Sequence, residues 1–144
     1  GAIAAVFAVD PAPSAVFLLF LFLVIFFWEI GGQNIPADWA DIEEDRRLRA
    51  QTVPVRFGLK GAALIAICAI ALALLVQPIL IYLSKIGFQP FMMALSFLLG
   101  AGLLLPPALQ LYHTRQRTHA MALFNRASYY PLVMLVVFIA NFLV

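Results

Sequence analysis

Charge is what this sequence has least of. Of its 144 residues, 11% are Asp, Glu, Lys or Arg and 65% are hydrophobic, against roughly 25% and 45–50% in a soluble domain. That shortage excludes a water-soluble globular domain, because so short a chain has too little interior to hide this much apolar surface. Cysteine is nearly missing too. Cys68 stands alone in an apolar run, so no disulfide forms within the chain, and a lone buried thiol reads as inert filler. The net charge is +2, without the basic stripe along one exposed face that nucleic-acid binding needs. No basic segment precedes the first apolar run, so the start does not read as a signal peptide. Opening on Gly1 rather than Met, the chain reads as cut or processed inside a longer protein, or as part of one.

What is present is a series of apolar runs. Residues 1–9 are apolar but too short to span, like the tail of a helix, and Asp10-Pro11-Ala12-Pro13 is a turn. Residues 12–33, 61–83, 90–111 and 127–144 are each of the order needed to cross a hydrocarbon core of ~30 Å. Gln77-Pro78 falls inside the second run and predicts a kink rather than a stop. The stretch from Ser84 to Gly87 reads as a tight turn. Gly100-Ala101-Gly102 in the third run allows close helix contact. The expectation is one all-α membrane domain over residues 1–144: a bundle of about four transmembrane helices plus the tail of a fifth, embedded in a lipid bilayer.

The polar residues are concentrated in a loop at residues 34–60. Every acid except Asp10 lies between Glu29 and Asp45, and Arg46, Arg47, Arg49, Arg56 and Lys60 follow. Two spans later come Arg115, Arg117 and Arg126, whereas the opposite side has only Lys85 with Asp10. The positive-inside rule puts the aspartate loop in the cytoplasm and the C-terminus outside, in a bacterial inner membrane on this reading.

Asn34 before Pro36 is a plausible helix start, since Asn caps and Pro tolerates the first turn. If that helix runs on, Asn34, Asp38, Asp41 and Asp45 share an arc of roughly 60° at about 100° per residue, with Arg49 on the same face. Three carboxylates on one face repel each other and suit a hard cation such as Mg²⁺, which takes one or two carboxylates plus substrate phosphates. Basic side chains downstream would complete a diphosphate site. Acids are also favoured in the first turn of any helix, so a metal site and a solvated polar face fit the spacing equally. Glu29, near the end of an apolar run with Gln33 one turn on, is either an ionisable group held at depth for a purpose or a side chain reaching the interface. Trp28 and Trp39 read as interfacial anchors. His113 and His119 read as loop residues, and Tyr129 and Tyr130 as an aromatic belt or a cavity lining. Asn125 and Arg126 face either the aspartates' cavity or water.

The run DWADIEEDRR followed by TVPVRFG resembles the second aspartate-rich motif of the UbiA superfamily of intramembrane prenyltransferases. The matching positions are Asp38, Asp41 and Asp45, then Thr52, Pro54 and Gly58, with Asn34 where some members have a further aspartate. LFNRASYYPL is similar to that family's C-terminal region. The resemblance covers the C-terminal half of a fold of about nine transmembrane helices. It implies Mg²⁺ held by Asn34, Asp38, Asp41 and Asp45, diphosphate contacts from Arg46, Arg49 and Arg56, and catalytic roles for the three aspartates. A polyprenyl diphosphate would lie with its tail between helices, and an allylic cation would be captured by a hydrophobic acceptor, often aromatic like a quinone precursor. Two features depart from the pattern. The first motif, N-D-x-x-D-x-x-x-D, is absent, so a missing N-terminal half or a partner chain is implied. Gln51 stands where many relatives have lysine. A non-catalytic membrane subunit remains an alternative, as does a transporter fragment, although no span shows the paired Gly/Pro breaks of inverted repeats.

Overall fold

The computed structural model describes residues 2–84, 87 and 89–143. Every regular element among them is helical: α1 (Ala2–Val9), α2 (Ala15–Trp28), a π-helical turn (Glu29–Asn34), α3 (Ile35–Ala40), α4 (Ile42–Leu48), α5 (Val53–Leu83), α6 (Pro90–Thr114) and α7 (Arg117–Asn141). Among the described residues four helical runs are long and apolar enough to cross a membrane: Ala15–Ala40, Val53–Leu83, Pro90–Thr114 and Arg117–Asn141. This is an all-α membrane protein. The turn expected at residues 84–87 is described only at Ser84 and Gly87, and Lys85 and Val144 lie outside the described residues.

The pattern of small residues explains how the helices meet. Lipid is as apolar as a leucine side chain, so helices in a bilayer associate by close packing more than by hydrophobic burial. On α5 the buried positions are Ala62, Ala63, Ala66, Ala69, Ile70, Ala73, Leu74 and Gln77. They recur every three to four residues and so form one stripe, mostly alanine. Leu64, Leu72, Leu75 and Ile79 lie on the outer side. α2 and α6 pack against α5, α7 packs against α6, and α3 lies against both α5 and α7.

The first span is the main departure from expectation. It does not stop at residue 33 but passes through the π-helical turn into α3. A π turn takes one more residue per hydrogen-bonded ring than an α turn and shifts the faces that follow. Two glycines make the join possible. A Cβ on Gly31 would sit 2.8 Å from the Ala66 carbonyl oxygen, and one on Gly32 would sit 2.6 Å from the Ala127 Cβ. The chain is thereby drawn into the seam between α5 and α7. Ile35, Pro36 and Trp39 are consequently buried.

Several expectations need correction for this reason. Asn34 is not a helix cap: its backbone is α-helical, and its side chain makes no capping bond. Trp39 is no interfacial anchor, being only 3% exposed within the core. The helix from Asn34 to Arg49 does not run on. It breaks at Asp41 (φ −106°, ψ 11°) and ends with Arg49 in a left-handed conformation (φ 56°). The second span begins eight residues early, at Val53, and it carries a non-helical residue at Gly58 (φ 69°). Helix α5 continues through Pro78, as the sequence predicts. The last helix starts at Arg117, ahead of its apolar stretch from residue 127. Cys68 is exposed on the outside of α5, not buried.

Candidate functional site

The break at Asp41 divides the acidic segment between α3 and α4. Asp38 sits half-buried on α3, Asp41 is exposed at the joint, and Asp45 is half-buried on α4. The Asp41 carbonyl accepts the Asp45 N–H at 2.9 Å, starting α4. The negative charges of Asp45 and Asp41 both reach Asp38. Three carboxylates therefore share one small region even without a continuous helix. Asp45 is also anchored. Its Oδ2 accepts a hydrogen bond from the Thr52 hydroxyl at 2.9 Å. Thr52 precedes α5 but makes no capping bond to it, so the hydroxyl holds the aspartate loop instead.

The expected basic partners are arranged unevenly. Arg46 lies 3.3 Å from Glu43, in an exposed pair one turn apart. Arg56 stacks its guanidinium 5.5 Å from the centre of the Phe57 ring. Arg49 is exposed just past the end of α4. A cation outside the expected diphosphate set shares a groove with the acidic joint. Arg117, the first residue of α7, lines a groove of about 700 Å³ together with Ala37, Ala40, Asp41, Thr118, Met121 and Phe124. The alternation of spans had placed Arg117 at this end, and that was the signal available. Asn125 and Arg126 are exposed on α7 and do not line this groove. His119 contacts the Thr114 hydroxyl through Nδ1 at 3.0 Å, and His113 packs edge-on to Tyr112.

Among the described residues, no three Asp, Glu, His or Cys side chains form a ready-made metal cage. Mg²⁺ does not need one. It typically keeps several waters and binds through one or two carboxylates plus substrate phosphates. Asp38 feels the charges of Asp45 and Asp41, and carboxylate oxygens are the hard donors that such a shared site uses.

Toward the opposite end the bundle is hollow. A cavity of about 720 Å³ lies between α1, α2, α5, α6 and α7, walled by Phe22, Ile25, Leu80, Ile81, Met134, Val137 and Phe138. Its polar lining is Glu29, Gln77, Ser96 and Tyr130. The Tyr130 hydroxyl donates to Gln77 Oε1 at 2.9 Å, and Gln77 Nε2 donates to Met134 Sδ at 2.7 Å. Trp28 lines the same space while its indole N–H donates to the Ala127 carbonyl at 3.1 Å. Trp28 is thus a strut between α2 and α7. Of the two tyrosines, Tyr130 is 5% exposed and Tyr129 is 60% exposed, so one lines the cavity and the other faces outward.

Fold and site together define a membrane-embedded helical protein with an acidic loop at one end and an apolar chamber beyond it. The chain belongs to the UbiA prenyltransferase family, whose sequence model matches residues 1–142. No curated protein and no solved structure matches it. Membership makes it a membrane prenyltransferase in general terms, of a family that acts on polyprenyl diphosphates in the bilayer and generally uses Mg²⁺ through aspartate motifs.

Proposed function

We propose that this chain binds the diphosphate in a Mg²⁺-dependent transfer of a polyprenyl group to a hydrophobic acceptor, aromatic and resembling a quinone precursor. One observation carries this reading. The charges of Asp45 and Asp41 both bear on Asp38 at one end of the bundle, and Arg117 shares a groove with Asp41. Asn34, Asp38, Asp41 and Asp45 would hold Mg²⁺, whose charge favours departure of the diphosphate. Thr52 keeps Asp45 in place. Arg117, Arg49 and Arg56 offer donors to the phosphate oxygens, and Arg46 joins them by leaving Glu43, an exchange that costs little at an exposed ion pair. The apolar walls of the chamber suit hydrocarbon and keep water from the reacting carbon. A second aspartate-rich loop, from outside these 144 residues, would face this one from the cytoplasmic side.

The test is prenyl transfer from a polyprenyl diphosphate to a lipid-soluble phenol, with the product read by mass. Asp41→Ala should lower transfer by about a hundredfold or more, and chelation of Mg²⁺ should abolish it. Glu44→Ala, which alters an acid on the adjoining helix α4, should leave transfer near wild type. Unchanged transfer and diphosphate binding in Asp41→Ala would falsify the site assignment.

A further inference from the structure

The chamber has a polar end and an apolar end. Trp28, Glu29 and Tyr130 line it on the side nearer the aspartate loop, whereas Leu80, Ile81 and Phe138 lie farther along their helices from that loop. Three of its four polar linings are already engaged. Ser96 donates to the Met93 carbonyl at 2.8 Å, and Tyr130 and Gln77 bond each other and Met134. Glu29 is the exception. Among the described residues its carboxyl has neither a hydrogen-bond nor an ion-pair partner. Glu29 is exposed while lining the chamber, and an ionisable side chain without a partner in a membrane span marks a functional position. The backbone adds an independent observation. Glu29 is the first residue of the π-helical turn, a rare geometry that occurs frequently at functional sites.

We propose that Glu29 receives a hydrogen bond from a hydroxyl or amine group on a hydrophobic molecule seated in this chamber. Its carboxyl oxygens accept, and the hydrocarbon body of the guest extends toward Ile81 and Phe138. A volume of about 720 Å³ falls within the ~300–1,000 Å³ range of small-molecule sites, where one or two placed polar groups in apolar walls fix orientation. Glu29 stands nine residues before Asp38, or about 13 Å along a helical axis. A guest held by its donor group at Glu29 therefore has its polar end toward the diphosphate site. Identifying this guest as the prenyl acceptor rests on the prenyl-transfer reading. Its recognition by Glu29 does not.

The experiment measures binding alone, without diphosphate or Mg²⁺. The chain is placed in lipid nanodiscs and titrated with 4-nonylphenol and with its methyl ether, while the emission of Trp28 in the chamber wall is followed. The phenol donates a hydrogen bond and the ether cannot, but their bodies are nearly the same. Wild type should prefer the phenol by about tenfold beyond the preference shown by Glu29→Leu, the size of one hydrogen bond to a carboxylate. Glu29→Met, close to glutamate in length, gives the same comparison if the leucine variant does not fold. An equal preference in wild type and variant overturns the proposal. So does the lack of saturable phenol binding, the outcome expected if another helix fills the chamber. Asp41→Ala should keep the full preference. If transfer never occurs, even with a chain that supplies the second aspartate-rich loop, but the preference holds, the prenyl-transfer reading falls and this one stands. If transfer occurs but wild type shows no preference, the reverse is true.

Discussion

The two ends of this bundle are made from the same helices and packed in opposite ways. Near the aspartate loop, Ala62, Ala63, Ala66, Ile70, Leu104, Leu111, Ala120, Leu123 and Ala127 are all fully buried. Farther along, the same helices part around a chamber of about 720 Å³. Residue size makes the difference. Alanines and glycines let backbones meet at the first end, whereas Ile81, Met134 and Phe138 line the gap at the other. Helices in lipid hold together only where they touch closely, so the dense end is the frame that fixes the charged loop. The hollow end is left free to hold a guest. The Tyr130–Gln77 pair marks the border between them, with Gly100 against both Leu74 and Tyr130.

The comparison is broken most forcefully at Gly32. A side chain there meets the Ala127 Cβ at 2.6 Å, on a neighbouring helix that cannot swing aside. Gly32→Val should cost about 2–3 kcal/mol by overpacking, read as a lower unfolding temperature in detergent. Gly102 offers the control, since a Cβ there has nothing within 4 Å. Gly102→Ala should be neutral or slightly stabilising, as expected for a helix interior. Equal melting of the two variants would mean that the dense end is not the frame.

The border comes next in size. Tyr130→Phe removes the hydroxyl and leaves Gln77 Oε1 without its donor. The expected loss is about 1 kcal/mol, typical of an interhelical hydrogen bond in a membrane. Gln77→Leu combined with Tyr130→Phe should recover part of it, because then neither group is left unpaired. A double variant no more stable than Tyr130→Phe would show that the pair adds little.

How legible this was in the sequence depends on which forces decide each region. The spans could be read because twenty or so apolar residues have no other stable place than a bilayer. The acidic motif could be read because its residue types and spacing are local. What could not be read was tertiary. The burial of Trp39 follows from the π-helical turn, and that turn follows from Gly31 and Gly32 meeting residues on α5 and α7, far away in sequence. The break at Asp41 was hidden in the same way, since IPADWADIEEDRR is compatible with one uninterrupted helix. Gln77 was visible only as a polar residue beside a proline. Its partner Tyr130 lies 53 residues away, and no periodicity connects them.

Thr52 tests whether the frame positions the loop or merely carries it. Its hydroxyl joins the start of α5 to Asp45. Thr52→Val should change stability by less than about 1 kcal/mol yet lower prenyl transfer by about tenfold, because a carboxylate loosened by a fraction of an ångström no longer meets its target. Thr52→Ser should restore most of the rate. A loss of rate that serine does not rescue would point to packing of the threonine methyl instead of the hydrogen bond.

The smallest effect is expected at Arg46, and it separates a resting contact from a working one. In the structure Arg46 pairs with Glu43 at 3.3 Å, with both side chains more than half exposed. Such pairs contribute little, so Arg46→Ala and Glu43→Ala should each shift stability by no more than about 0.5 kcal/mol. Their kinetics should differ. If Arg46 leaves Glu43 for the diphosphate, Arg46→Ala raises the KM for polyprenyl diphosphate by about threefold, whereas Glu43→Ala, which frees the guanidinium, leaves it unchanged or lowers it. Equal KM values in both variants would confine Arg46 to the loop surface and leave the anion to Arg117 and its neighbours across the groove.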